Sequence, residues 1–149
     1  YAIAPAGLVG KMVVAKQCGD IHTPILNQMI CCQFLQSCNV AGHLSALQKL
    51  YRGKCSLMVQ AMEEHFSRAR FNSPEGGLFV WCTLPDRIGL MDFIRAAGEA
   101  KVAVVPGTTF LPDTSRPCHS FRLNFSAPTN QQITEGVERL GRVLDQMLR

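Results

Sequence analysis

"SFRLNFSAPT", residues Ser120–Thr129, sets a strand and the start of a helix side by side. Phe121, Leu123 and Phe125 alternate with Arg122, Asn124 and Ser126, the two-residue period of a strand with one apolar face. The polar face therefore carries an arginine between two large core residues. On local grounds that arginine is either a solvated charge or a guanidinium held in place for a carboxylate. Its planar, paired N–H donors match a carboxylate, and it keeps its charge at neutral pH.

Downstream, Thr129 and Gln132 form a T-x-x-Q capping box, in which each side chain satisfies a backbone N–H at the helix start. Ile133, Val137, Leu140, Leu144 and Leu148 then fall on one helical stripe. Upstream, "GLFVWCTL" (Gly77–Leu84) reads as a strand stopped by Pro85. Leu90–Ala100 reads as a short helix, and "VAVVPG" (Val102–Gly107) as a short buried strand ending in a turn. Strand, helix, strand, strand, helix predicts an α/β fold, a small sheet packed with helices. The pattern leaves the strand order open.

Three helical segments precede this layer. Ala6–Gly19 has apolar residues near helical spacing. "HTPILNQMICCQFLQSC" offers Thr23 as N-cap and Pro24 at the first helical position. The third, from about Ala41 to Phe66, repeats Leu44, Leu47, Tyr51, Met58 and Met62 along one face. The expected division is residues 1–40, the end of one domain with connecting helices, and residues 41–149, a small α/β domain.

Composition narrows the function classes. The 149 residues are 47% hydrophobic and 17% charged, as in an ordinary globular protein. A net charge of +4 is spread without a dense Lys/Arg run or interleaved aromatics, which argues against nucleic-acid binding. Seven cysteines lack the C-x-x-C spacing of a zinc site and read as reduced, small core residues in a cytoplasmic protein. No apolar run reaches the ~18 residues of a membrane span, and the start lacks a signal-peptide layout. The opening "YAIAP" has no methionine and reads as the end of a strand, hence as part of a longer protein.

Local motifs give no complete active site. His22, His43, His65 and His119 are scattered, and Glu63–Glu64 is a neighbouring, solvated pair. Cys118–His119 would point to opposite faces of a strand. "GTTFLPD" lacks the spacing of a phosphate-binding loop. "PEGG" (Pro74–Gly77) puts two glycines before an aromatic strand, suiting a tight turn or the close approach of another group.

In order, "YAIAP", "HTPILNQ", the long helix, "PEGGLFVWCTLP", "KVAVVPGTTF", "FRLNFS" and "ITEGVERL" resemble the carboxy-terminal part of fold-type I pyridoxal-phosphate aminotransferases. The similarity is to class I enzymes of the 2-aminoadipate, kynurenine and aromatic or branched-chain aminotransferase kind. This resemblance implies the small carboxy-terminal domain of such an enzyme, preceded by long connecting helices. It implies amino-group transfer from an amino acid to a 2-oxo acid, with pyridoxal phosphate as cofactor and a homodimer as the parent assembly. Arg122 matches the arginine that pairs with the substrate α-carboxylate. Phe79 matches a substrate-side contact, with Gly76 and Gly77 allowing close approach. Tyr1 matches the tyrosine ending an R-x-G-Y motif, so the Schiff-base lysine and a phosphate-binding arginine are expected upstream of Tyr1. Neither Lys11 nor Lys16 matches the lysine motif. The 149 residues alone are therefore expected to hold no catalytic or cofactor-binding residue, to leave the cofactor unbound and to be inactive. Two alternatives remain: the aminotransferase-like effector domain of a winged-helix transcription regulator, and a non-catalytic packing or dimerising domain.

Overall fold

A computed structural model describes residues 2–113 and 116–149; Tyr1, matched above to the R-x-G-Y motif, lies outside them. The chain divides into two compact units, Tyr1–Leu44 and Ser45–Arg149.

The first unit holds α1 (Ala6–Gly19), α2 (Ile25–Ser37) and the start of α3 (Val40–His65). Neither α1 nor α2 buries a residue, because apolar side chains surround each helix rather than forming one stripe. The expected Thr23 cap is corrected here. Pro24, with ψ 128°, occupies the N-cap and Ile25 opens α2. The Thr23 carbonyl instead accepts from Gln28 Nε2 at 2.7 Å. Asn39 starts α3, its Oδ1 accepting from the Gly42 N–H at 2.9 Å, the bond a capping asparagine makes to an orphan donor.

The second unit is a four-stranded antiparallel sheet with helices on one face. Its strands are β1 (Arg70–Phe71), β2 (Phe79–Thr83), β3 (Val105–Pro106) and β4 (Ser120–Asn124), in the order β1-β2-β4-β3. The inward residues Val80 and Cys82 of β2 and Phe121 and Leu123 of β4 join one core. Met58, Ala61 and Met62 of α3 enter it, as do Phe93 and Ala97 of α4 (Leu90–Glu99). So do Ile133, Val137, Leu140 and Leu144 of α5 (Asn130–Met147). At its centre Phe121 meets Phe93 at 5.2 Å and Phe66 at 6.2 Å between ring centroids. Gly141 lets α5 press against the end of α3, since a side chain there would run into the His65 carbonyl. The T-x-x-Q capping box is present, with both reciprocal bonds formed.

Three expectations need correction. Val102–Gly107 is not a buried strand. Only Val105 and Pro106 pair, on the sheet's edge, with Val105 partly exposed; Pro106 has no N–H to extend a ladder. The long-helix stripe is buried only towards its C-terminal end, at Met58, Ala61 and Met62, while Leu44 is exposed. The cysteines are not core residues as a set: Cys82 is buried, Cys55 and Cys118 are intermediate, and Cys18, Cys31, Cys32 and Cys38 are exposed. Those four exposed cysteines lie on or beside α1 and α2, which enclose no core of their own.

Burial pushes the Cys82 thiol up from its ordinary value near 9 to about 12. A raised folded-state value stabilises the protonated native form at lower pH. That contribution is complete below pH 9 and is lost as pH rises towards 12. At pH 8 an aromatic disulfide reagent should therefore label the exposed cysteines quickly and Cys82 only as the chain unfolds. Labelling of Cys82 at the rate of Cys31 would contradict its place in the core.

Candidate functional site

Strand β4 delivers Arg122 to the face of the sheet opposite the helices. Phe121 and Leu123 on either side are buried, so the backbone that carries Arg122 is anchored twice in the core. Its register partners are Trp81 on β2 and Val105 on β3. Thr83 and Ser120, partners at one end of the same face, share a hydroxyl hydrogen bond of 3.0 Å. At the other end, Asn124 Oδ1 accepts from Ser126 N–H at 2.6 Å, Ser126 Oγ at 2.8 Å and Ala127 N–H at 3.1 Å. Asparagine closes such a turn with its own side chain. From α3, Lys54 Nζ donates to the Ser126 and Pro128 carbonyls at 2.8 and 2.6 Å, tying down the strand's exit.

The surroundings of Arg122 are aromatic rather than acidic. Its guanidinium carbon lies 3.8 Å from the Phe79 ring centroid and 4.6 Å from that of Phe110. Phe110 in turn meets Trp81 edge-on, with centroids 5.7 Å apart. The Arg122 Nε is buried and has no hydrogen-bond partner. Among the described residues no carboxylate pairs with Arg122. A buried donor left unpaired costs about 1–3 kcal/mol, more when charged. The site is thus a fixed cation with no acidic partner among the described residues, walled by rings that attract its charge without neutralising it. A carboxylate is the complementary ligand.

Of the residues singled out by sequence, the structure brings Arg122 and Phe79 together. Of the two readings of "PEGG", the structure shows the tight turn: Gly77 takes φ +81°, a left-handed turn conformation. No heavy atom lies within 4 Å of a side chain added at Gly76 or Gly77, so no group of this chain crowds them. Cys118 and His119 precede β4 and form no dyad. His119 Nδ1 lies 3.2 Å from the Ile88 carbonyl, and Cys118 Sγ lies 3.7 Å from the Ser120 carbonyl. Sequence reasoning missed Trp81 and Phe110. Trp81 was findable in principle, since it shares a face with Phe79 by the two-residue period. Phe110 was not, because its placement depends on a 3-10 turn after an edge strand.

No protein-family model matches the chain. It is 35% identical to the 2-aminoadipate transaminase of Thermus thermophilus over 149 residues, which cover 99% of the chain and 37% of that enzyme. Among solved structures it superposes on an alpha-aminoadipate aminotransferase, also from Thermus thermophilus, complexed with N-(5'-phosphopyridoxyl)-L-leucine. The TM-score is 0.85 at 34% identity, covering 98% of this chain and 37% of that one. A Pyrococcus horikoshii kynurenine aminotransferase gives a TM-score of 0.86 at 30% identity, covering 97% and 36%. The chain therefore spans a little over a third of the length of the relatives it matches.

Proposed function

We propose that this chain, which is homologous over its length to the carboxy-terminal part of fold-type I aminotransferases, forms the substrate-carboxylate side of such an enzyme. The branch is that of the 2-aminoadipate, kynurenine and aromatic aminotransferases. One observation carries the assignment: Arg122 is anchored in the core through its neighbours, and among the described residues no carboxylate neutralises its half-buried guanidinium. A guanidinium held in this way fits the acid end of an amino acid. No residue of this chain is assigned to the cofactor itself.

In this scheme Arg122 takes the α-carboxylate of the amino acid and, in the return half of the cycle, that of the 2-oxo acid. Fixing one end of the substrate sets the direction of its Cα–H bond, and correct orientation is worth several orders of magnitude in rate. Pyridoxal phosphate, when bound to the parent enzyme, supplies the electron sink that allows that bond to ionise. Phe79 packs beside the bound acid. A homodimeric, cytoplasmic parent belongs to the same proposal. It is supported by the resemblance alone. No helix among the described residues is long and apolar enough to cross a membrane.

The test is a titration of the full-length protein with pyridoxal phosphate, followed by amino donors and an assay for the 2-oxo acid formed. Cofactor binding with stoichiometric release of 2-oxo acid is expected. Cofactor binding without turnover of any donor would favour an effector domain and overturn the enzyme assignment.

A further inference from the structure

We infer that Phe110, the last residue of the "PGTTF" turn, is a positioning residue that holds the Arg122 guanidinium in its carboxylate-ready orientation. The inference rests on the assignment of Arg122 to the substrate carboxylate and adds a role for a motif that assignment leaves unused.

The route of the chain makes the case. After pairing Val105 with Arg122 and Pro106 with Phe121, β3 ends. The backbone then turns through a 3-10 helix, Gly107–Phe110, closed by Leu111 N–H donating to the Thr108 carbonyl at 3.2 Å. Gly107 permits the turn to lie against the entry of β4. A side-chain carbon there would sit 2.5 Å from the Ser120 carbonyl oxygen and 2.8 Å from Cys118 Sγ. The turn carries Phe110 back to the Arg122 face, where it reaches the guanidinium at 4.6 Å and rests edge-on against Trp81.

The chemistry explains why a ring is used. Arginine is long and has many rotamers, so an unpaired guanidinium does not stay put without help. A carboxylate neighbour would hold it, but would also compete with the substrate for the same N–H donors. An aromatic face attracts the cation through its quadrupole and accepts no strong hydrogen bond, leaving those donors free. Phe110 is 45% exposed, so its loss opens no cavity in the core. The ring's contribution is to Arg122 rather than to folding.

The experiment compares KM and kcat for one amino donor in the full-length enzyme and four variants: F110L, F110Y, R122Q and R122Q/F110L. F110L should raise KM by roughly 2- to 30-fold, the span of a cation–π contact, with a smaller change in kcat. F110Y keeps the ring face and should restore KM to within about 2-fold of the parent. In the R122Q background, F110L should add nothing further to KM. Should F110L fold poorly, F110M provides the same removal of the ring. F110L with an unchanged KM, while R122Q raises it, would overturn the positioning role alone. So would an F110L effect that persists undiminished beside R122Q, or an F110Y loss equal to that of F110L. An R122Q variant with unchanged KM would overturn the carboxylate assignment itself.

Discussion

Replacing Phe121 with alanine lowers the unfolding free energy by about 3–5 kcal/mol, the range for removing a fully buried aromatic ring. Phe121 is fully buried, and its ring touches both Phe93 and Phe66. The substitution removes the hydrophobic transfer energy of the ring and leaves a cavity that neighbours fill only in part. It also removes two aromatic contacts, each worth about 0.5–1.5 kcal/mol beyond area burial. Since domains are stable by about 5–15 kcal/mol, the loss is a large share of the total. Urea unfolding should show a lower midpoint with an unchanged slope. Met91→Ala, at a position 60% exposed on α4, serves as control and should stay within about 0.5 kcal/mol of the parent. A Phe121→Ala loss below about 1 kcal/mol would mean that β4 is not anchored as described.

The second large effect is on catalysis. Arg122→Gln keeps a planar side chain with N–H donors but removes the charge and the two-pronged geometry. Truncating one partner of a desolvated charge pair costs about 2–5 kcal/mol, so kcat/KM for amino acids should fall by about 30- to 5,000-fold. Arg122→Lys should recover little, because an ammonium cannot reproduce the fork and lies less well against Phe79 and Phe110. Neither change empties the core, because Phe121 and Leu123 carry the packing of β4. Unfolding midpoints should therefore stay near that of the parent. Loss of activity in parallel with loss of folding would assign Arg122 a structural role instead.

How far the sequence reveals these features depends on how local their causes are. The alternation at Phe121, Leu123 and Phe125 and the capping box at Thr129 and Gln132 act within a few residues. Both were legible and are found as expected. The edge placement of Val105 was not, because "VAVVPG" has the composition of an interior strand. Only pairing across 17 residues of sequence, Val105 with Arg122, decides which strand lies outermost. The two-residue β1 was missed for a similar reason: Arg70 and Phe71 gain strand geometry from Thr83 and Cys82, not from their own pattern. The ordered motifs single out Arg122 and Phe79, which the structure places 3.8 Å apart, guanidinium carbon to ring centroid. Phe110 needed the missing side chain of Gly107 and the turn it permits.

The central claim, that Arg122 recognises a carboxylate, is tested most directly by pairing each amino acid substrate with the amine that lacks its carboxyl group. Turnover of both is measured in the parent enzyme and in Arg122→Gln. The account predicts that Arg122→Gln lowers kcat/KM for the acid by about 30- to 5,000-fold and leaves the slow turnover of the amine within about 2-fold. Equal losses for acid and amine would contradict it, because the arginine would then serve something other than the carboxylate.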